Sequence, residues 1–392
     1  MYRFLLVSIN IEAVLAEVTI GLRRKKLEEV ERGNGLGDAC TATLARLKGQ
    51  KGNKAAVGLK VLKWVLHSER PLRGGELCHA LAVEMGSRDL DPENVLGLQR
   101  LLSCCLGLVT FEASSSTVRL VHFTLQEHLL SIPTLFHSPH STIAEVCLKY
   151  LNFGCVRDLP PDLNTALSTI LFLEYASFYW GKHARMATTE NVKILALKLL
   201  DRFNEHVSAR LLWRRYYKDN GSRSYFPLVR GDTRFTALQA VSFLGIVEIV
   251  AAISERKELN GNTTDRMWNT ALTWAAREGH EEVVRIFLER EGVDPDNADT
   301  YCYRTPLSWA AERGHQGVVK MLLEREEVNP ERSDTNHRTP LSPAARCNNS
   351  RVTIILLKRK RWIVKTHAEH LTVEENRWGL GVSVKVSEER VR

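Results

Sequence analysis

The chain has 392 residues, and 44% of them are hydrophobic, which is enough apolar material for two or three domains of ordinary size. These values exclude a disordered chain and a mini-protein that needs cross-links for stability. The net charge of +8 is spread over 54 basic and 46 acidic residues. We therefore expect a mildly basic surface and not the concentrated stripe of a typical nucleic-acid binder.

The cysteines and the first residues of the chain indicate the cellular compartment of the protein. The eight cysteines form no CxxC pattern and no even ladder of spacings, so we expect reduced thiols in a cytoplasmic or nuclear protein. The opening stretch is apolar, but Asn10, Glu12 and Glu17 interrupt it before it reaches the length of a secretory signal or a membrane span. The sequence predicts a cytoplasmic protein with no membrane span.

Residues 1–54 contain the charged helical stretch "LRRKKLEEVER", and residues 55–131 follow as three helices and a hairpin. The helices lie in "AAVGLKVLKWVL", in "RPLRGGELCHALAV" after its glycines, and in "DPENVLGLQRLLSCC" with its proline at the opening. "LVTFEASSSTVRLVHF" predicts two strands around Ser114 to Ser116. This order is winged-helix-like. DNA readout is disfavoured because Asp89, Asp91 and Glu93 at the start of the third helix repel phosphate.

After a predicted helical linker at residues 132–232, one sequence motif occurs four times across residues 233–361. Its copies align on Thr236, Thr270, Thr305 and Thr339, with spacings of 34, 35 and 34 residues. Each threonine can cap a short first helix, which must end at a glycine such as Gly279 or Gly314. The second helix has an apolar face, as in "EEVVRIFLER" and "QGVVKMLLER", that only a neighbouring copy can cover.

This pattern resembles the ankyrin repeat family. The matching positions are Thr305-Pro306-Leu307, Ala310-Ala311, Gly314-His315, Val318-Val319 and Leu322-Leu323. The resemblance implies an α-solenoid in which His280 and His315 hydrogen-bond backbone. The family's glycine before each Thr-Pro is replaced here by Trp268, by Cys302 with Tyr303, and by His337, so wider turns are expected. Pro343 removes a backbone donor from the fourth copy, for which we predict a frayed helix pair.

The preceding half resembles a second group of proteins. "RPLRGGELCHALAVE", "VRLVHFTLQEHL", "AEVCLKYLNF" and "FLEYASFYWGKHAR" are similar to segments that follow the nucleotide-binding domain in fungal NACHT-ankyrin proteins. Their winged helix is of the GPI inositol-deacylase type. The resemblance implies an ATPase module upstream, and residues 1–54 then correspond to its helical remnant. The sequence itself has no GxxxxGK[ST] loop and no GxSxG elbow.

Candidate sites for chemistry are few. The histidine pairs His137/His140 and His367/His370 have no third ligand nearby in sequence, so we interpret them as loop histidines and predict no metal site. Cys104 and Cys105 close an apolar helix and are interpreted as buried thiols with no neighbouring base. We therefore predict no catalytic residue, no cofactor and no enzyme activity.

Candidate partner-binding residues lie in the repeats. Trp274 and Trp309 recur at one repeat position, which favours core packing. The turn residues are large, are expected to be exposed, and are of types enriched in binding hot spots. They are Trp268, Tyr301, Tyr303, Arg304 and His337. The alternative is that they pack in part against the next repeat. With four residues at the ends of the first helices, they form the set predicted for the concave face and turns: Trp268, Arg277, Glu278, Tyr301, Tyr303, Arg304, Glu312, Arg313 and His337.

The end of the chain is basic. Seven Lys or Arg and no acidic residue occur from Arg346 to Lys365, including "KRKR" at 358–361, followed by an irregular tail at 362–392. The run is interpreted as a nuclear signal or as a solvated helix end. The sequence thus predicts a mostly α protein that acts as a non-enzymatic scaffold for a protein partner. The alternative is a nucleic-acid-binding or nuclear regulatory protein that uses the winged helix and the basic run.

Overall fold

The computed structural model describes residues 14–15, 17–32, 36–159, 168–219, 235–255, 261–265, 268–300, 302–365, 372–374 and 383–385. The chain divides into two compact units. The first comprises residues up to Leu199 together with 214–216, and the second comprises Leu200–Trp213 and the residues from Tyr217 onward.

The first unit is helical with one small sheet. Its helices are α1 Ile20–Arg32, α2 Leu36–Lys48, α3 Lys54–His67, α4 Gly74–Leu81, α5 Leu98–Ser103, α6 Phe123–Leu130, α7 Pro139–Leu151, α8 Gly154–Arg157, α9 Leu173–Met186 and α10 Glu190–Leu200, of which Leu200 falls in the second unit. Its strands are β1 Leu72–Arg73, β2 Val109–Glu112 and β3 Thr117–Leu120. The sheet order is β1-β3-β2, and both pairings are antiparallel. The predicted hairpin is confirmed as β2 and β3. The two-residue strand β1 was not predicted, because no sequence pattern indicates it.

The second predicted helix starts earlier than expected. α4 begins at Gly74, so its glycines form the first turn and do not precede it. The Glu76 carboxylate accepts a bond from the Arg73 backbone N–H at 2.7 Å and pairs with Arg70 at 2.6 Å, which caps the helix at this point. A Cβ atom on Gly75 would lie 2.6 Å from the side chain of Leu171, so a larger residue here would require that side chain to move.

The third predicted helix starts later than expected. Pro92 opens a single 3-10 turn, and the α-helix α5 begins only at Leu98 and has six residues. Asp91 caps the 3-10 turn by accepting from the backbone N–H of Glu93 at 2.9 Å. Cys104 and Cys105 follow the end of α5 and are buried, as predicted.

The described residues between 139 and 199 belong to the first unit. α7 and α9 form an extensive helix pair, and a buried aromatic cluster joins them to α3. Within this cluster the ring of Trp64 packs edge-on against Phe172 at 5.5 Å. The Tyr175 hydroxyl accepts a bond from the backbone N–H of Glu69 at 3.0 Å.

The second unit contains four helix pairs in the positions predicted from the four copies. They follow α11 Val207–Asp219 and are α12 Ala237–Leu244, α13 Val247–Ser254, α14 Ala271–Glu278, α15 Glu281–Leu288, α16 Pro306–Arg313, α17 Gln316–Leu323, α18 Leu341–Arg346 and α19 Ser350–Lys365. Thr236, Thr270 and Thr305 cap the first helices through side-chain bonds, which confirms their predicted role. Gly279 and Gly314 end them in the left-handed conformation.

Hydrogen bonds connect one copy to the next. His280 Nε2 lies 3.0 Å from the backbone oxygen of Phe243, and His315 Nε2 lies 3.0 Å from that of Arg277. Asn349 takes the same role in the fourth copy and donates to Ala311 O at 3.1 Å. The structural role predicted for His280 and His315 is therefore confirmed.

The fourth copy forms both helices but is weaker at its start. α18 has six residues and begins after Pro340, and no side chain caps it, whereas a threonine caps each of the three preceding copies. Pro343 is buried within it, and Val352 and Leu356 of α19 are buried as well. Beyond α19, the tail predicted to be irregular contains an antiparallel pair, β4 Thr372–Glu374 with β5 Ser383–Lys385, each with a β-branched valine at its centre.

Amide hydrogen exchange tests the order of stability along the stack. We expect slow exchange in α14 to α17, because each of these helices has neighbours on both sides, and faster exchange in α18, which lacks a threonine cap. Exchange can be measured by mass spectrometry of peptic fragments. Equal protection of the third and fourth copies would contradict the expectation.

Candidate functional site

An aspartate organises each turn that precedes the second, third and fourth copies. Asp265 Oδ1 accepts from the backbone N–H of Asn269 at 2.9 Å, and Asp299 Oδ1 accepts from that of Cys302 at 2.6 Å. Asp334 Oδ1 accepts from the backbone N–H of Arg338 at 3.0 Å. All three aspartates are buried. Sequence reasoning missed them, although an aspartate at a nearly constant distance before each repeat threonine was a usable signal.

The non-glycine residues at the turn tips take up the conformation that favours glycine. Trp268, Tyr303 and His337 have φ values of 63°, 54° and 57°, in the left-handed region. The expectation that all three turns would be wider is therefore wrong, because the backbone keeps a glycine-like geometry; only the third copy has one extra residue between Asp299 and Thr305. The left-handed conformation costs a side-chain-bearing residue roughly 1–2 kcal/mol.

The same tip residues present their side chains to solvent. Trp268 is 55% exposed and Tyr303 is 56% exposed, and His337 is exposed as well. The exposure predicted for these three residues is confirmed. The predicted contact Tyr301 lies outside the described residues.

The two repeat tryptophans have different environments. Trp274 is buried, which confirms core packing, and its indole N–H donates to Asp265 Oδ2 at 2.9 Å. Trp309 is only partly buried and donates to Asp299 Oδ2 at 3.0 Å. The side chain at this repeat position is therefore core in the second copy and part of the surface in the third.

Two arginines stack on Trp309. The Cζ atom of Arg277 lies 3.8 Å from the ring centre and that of Arg304 lies 4.6 Å from it. Both arginines are buried, with 8% and 7% exposure, so the prediction that Arg304 is exposed is wrong. Stacking on an indole explains the burial, because the ring covers the flat face of each guanidinium.

Burial and charges of both signs act on Arg277 in this cluster. Burial lowers the pKa of Arg277 to about 9, and the neighbouring positive charges of Arg313 and Arg304 lower it further, against the opposite effect of Glu278 and Glu312. Burial also raises the pKa of Glu278, an effect that Arg313 and Arg277 reduce. The structure therefore brings together five of the predicted residues around Trp309.

Ion pairs extend the cluster to the fourth copy. The Glu312 carboxylate contacts Arg304 Nη1 at 2.6 Å and Arg346 Nη2 at 3.0 Å. The buried Asp334 carboxylate contacts Arg338 Nη2 at 2.9 Å and lies 3.6 Å from Arg304 Nε. Each of these two carboxylates is thus shared by two guanidinium groups.

A histidine cluster in the first unit differs from the prediction. His140 lies in α7 and stacks on His183 of α9, so its interpretation as a loop histidine is wrong. Their Nδ1 atoms are 2.9 Å apart, which requires one ring to donate and the other to accept. His183 Nε2 lies 2.9 Å from the Tyr175 hydroxyl. Among the described residues no group of three His, Cys, Asp or Glu is arranged to hold a metal ion, and His367 and His370 lie outside them.

This cluster predicts acid sensitivity of the fold. Burial, with the charges of His140, His67 and Lys182, lowers the pKa of His183 to about 3, and burial, with His140 and Lys63, lowers that of His67 to about 4. The pKa of His140 is also lowered by burial, against the charge of Glu69. The folded state thus favours the neutral rings. Their contribution to the stability of the fold is fully present above about pH 6.5, the pKa of histidine in the unfolded chain, and it declines as the pH falls below that value.

Urea denaturation at pH 7 and pH 5 measures this dependence. We expect a lower free energy of unfolding at pH 5 in the wild type and a smaller difference between the two pH values in His183→Gln. An equal difference in both proteins would show that His183 does not contribute to the acid sensitivity.

Within the described residues no helix combines the length and the hydropathy needed to cross a bilayer. Comparison with protein-family models matches residues 44–135 to the winged helix domain of GPI inositol-deacylase. Residues 267–300 match an ankyrin repeat, and residues 291–366 match a model of three ankyrin repeats. A search of curated proteins found no match. The chain therefore carries a winged helix domain of the GPI inositol-deacylase type followed by ankyrin repeats.

Proposed function

We propose that the chain is a non-enzymatic interaction scaffold of the fungal NLR-like ankyrin type, which binds a protein partner through the concave face and turns of its repeats. The observation that carries the proposal is the geometry of the turn tips. Trp268 and Tyr303 occupy left-handed backbone positions and remain more than half exposed. The turn aspartates hold this backbone conformation, and it presents each ring to solvent, where a partner can contact it.

The arrangement of the repeats supports the same conclusion. Equivalent positions of stacked repeats lie side by side, so the turn tips and the first helices of the copies form one extended surface. Its residue types, Trp, Tyr and Arg, are those enriched in binding hot spots. The deacylase name of the winged helix adds no proposal of hydrolysis, because the sequence has no GxSxG elbow.

We further propose the organisation and location expected from the sequence. The domains are a helical segment at 1–54, the winged helix at 55–131, helices at 132–232, repeats at 233–361 and a tail at 362–392. The protein acts in the cytoplasm or, through the basic run at 358–361, in the nucleus.

Site-specific photo-crosslinking tests the scaffold function. A benzophenone amino acid in place of Tyr303 should give an adduct of defined mass with a protein of the source cells. The same probe in place of Lys320, an exposed residue of α17 in the same copy, should not. Absence of an adduct at Tyr303, or equal adducts at both positions, would overturn the proposal.

The nucleic-acid alternative has one favourable observation. The acidic residues expected at the start of the third helix precede α5, where Gln99 and Arg100 are exposed. The helix has less than two turns, however, and Arg119 in the hairpin pairs with Glu112 at 3.2 Å. We therefore favour the scaffold and expect no binding of duplex DNA at low salt, measured by electrophoretic mobility shift.

A further inference from the structure

We propose that the scaffold binds a proline-rich segment of its partner, in the polyproline II conformation, along Trp268, Tyr303 and His337, which we name the tip row. The inference rests on the proposed function, because it specifies the kind of segment that the turns receive. Three observations carry it: an exposed ring that recurs once per repeat, the spacing of successive turns, and the polar atoms of the two largest rings.

The tip row places one flat ring at the same point of three successive turns. Trp268, Tyr303 and His337 each lie two residues before the threonine position of a repeat. All three have a left-handed backbone conformation and exposed side chains. The rings therefore recur with the period of the stack, and a segment that contacts more than one of them must have a matching period.

Backbone hydrogen bonds define the distance between successive turns. Asp334 N–H donates to Arg338 O at 3.0 Å, so the fourth turn consists of two segments that run side by side. Thr335 N–H, in the first of these segments, donates to Cys302 O of the preceding turn at 2.9 Å. Segments paired in this way lie about 4.8 Å apart. Two such steps separate equivalent tips by roughly 9–10 Å, which agrees with the distance of about 8–10 Å between packed helices.

Side-chain hydrogen bonds between the turns keep this spacing fixed. Asn262, before the second copy, accepts at Oδ1 from the backbone N–H of Asp294, before the third, at 3.0 Å. Arg332, before the fourth copy, donates from Nη1 to the backbone oxygen of Asp296 at 2.8 Å. The turns are thus ordered before a partner binds, which reduces the entropy lost on binding.

A polyproline II helix has the matching period. It has three residues per turn and rises about 3.1 Å per residue, so every third side chain lies on one face, about 9.3 Å further along. A β-strand presents one face every two residues, about 6.6 Å apart, which does not match the tip row. Prolines at every third position can therefore pack on the successive rings, as they do in aromatic-lined grooves.

The polar atoms of the rings distinguish a polyproline II segment from an α-helix, whose seven-residue repeat of about 10.5 Å is similar to the tip spacing. Within the part of the chain that the structure describes, the indole N–H of Trp268 and the hydroxyl of Tyr303 have no hydrogen-bond partner. A segment that covers these rings must supply acceptors, because burial of an unpaired donor is unfavourable. The carbonyl groups of an α-helix are bonded internally, whereas those of a polyproline II helix are free to accept.

Fluorescence anisotropy of labelled synthetic peptides on the full chain tests this inference. The first peptide has about ten residues with proline at every third position, which is long enough to reach all three tips. The second has the same composition in an order that removes the period. The third is an alanine-rich α-helical peptide with leucines along one face. We expect saturable binding of the first peptide, at least about tenfold tighter than that of the other two.

Three variants of the full chain locate the binding. Trp268→Gly removes a ring where glycine suits the backbone, and it should weaken binding of the first peptide by at least about tenfold. Tyr303→Phe keeps the ring and removes the hydroxyl, and it should weaken binding about threefold, the effect of one hydrogen bond. The matched control is Phe123→Ala, which removes an exposed ring outside the repeats and should leave the affinity unchanged.

Equal losses in Trp268→Gly and Phe123→Ala would show unspecific contact with exposed rings and overturn the inference. Wild-type affinity of Tyr303→Phe would also overturn it, as would failure of the first peptide to saturate. Equal binding of the first and second peptides would contradict the period, and preferential binding of the helical peptide would contradict the polyproline II conformation. An adduct at Tyr303 in the crosslinking experiment would leave the scaffold function in place after any of these results, whereas its absence would overturn both proposals.

Discussion

Replacing Leu322 with alanine should lower the free energy of unfolding of the repeat unit by about 2–5 kcal/mol. Leu322 lies in α17 and is completely buried, and α17 packs between α15 and α19. The substitution removes apolar contacts and leaves a cavity that a rigid stack fills only in part. Because each repeat is stabilised by its neighbours, the loss should extend to the second and fourth copies.

Urea denaturation followed by far-UV circular dichroism measures this effect. Lys320→Ala is the matched control, since Lys320 lies in the same helix and is exposed, and it should change stability by no more than about 0.5 kcal/mol. Equal destabilisation by the two substitutions would show that α17 is not packed between two neighbours.

Replacing Trp274 with alanine should cost about 3–5 kcal/mol. The side chain is 1% exposed and packs edge-on against Phe235 and Phe243, with ring centres 5.6 Å and 5.5 Å away. Its loss also removes the indole N–H that donates to the buried Asp265, which is one of the hydrogen bonds that this carboxylate accepts.

Trp268→Ala is the control for this second substitution. Trp268 lies six residues earlier in the chain and is more than half exposed, so its removal should change stability by no more than about 0.5 kcal/mol. Both variants can be compared by urea denaturation under the same conditions. If Trp268→Ala were as destabilising as Trp274→Ala, the assignment of Trp268 to the solvent-exposed surface would be contradicted.

The repeat fold was predictable because its signals are local and recur. Thr270 caps a helix and Gly279 ends it within a few residues of sequence, and both signals recur in the third copy. The apolar positions of the second helices have the period of a helix face. Such features need no knowledge of which segments meet in space.

Other features depend on segments that are distant in sequence. Gly75 lies in the first turn of α4 and packs against Leu171, which is far along the chain. The stacking of His140 on His183 joins residues 43 positions apart. Helix propensity and spacing do not encode these contacts, so the start of α4 and the histidine cluster were not predictable.

The candidate surface was predictable only in part. The exposed rings of Trp268 and Tyr303 follow from a large residue at a turn position where the family has glycine. Arg277 and Arg304 were expected among the partner contacts, but their burial on Trp309 depends on the packing of the second copy against the third. Sequence thus indicated the residues of the surface and not its geometry.

The most direct test of the scaffold function uses the partner protein that the crosslinking at Tyr303 identifies. It measures the affinity of this partner for two variants of the full chain. Tyr303→Gly removes the ring and suits the left-handed backbone, so the fold is retained. Lys320→Ala changes an exposed residue of α17 in the same copy. Isothermal titration calorimetry with the purified partner should show affinity at least about tenfold weaker for Tyr303→Gly and unchanged for Lys320→Ala. Equal affinity of both variants and the wild type would contradict the proposed function.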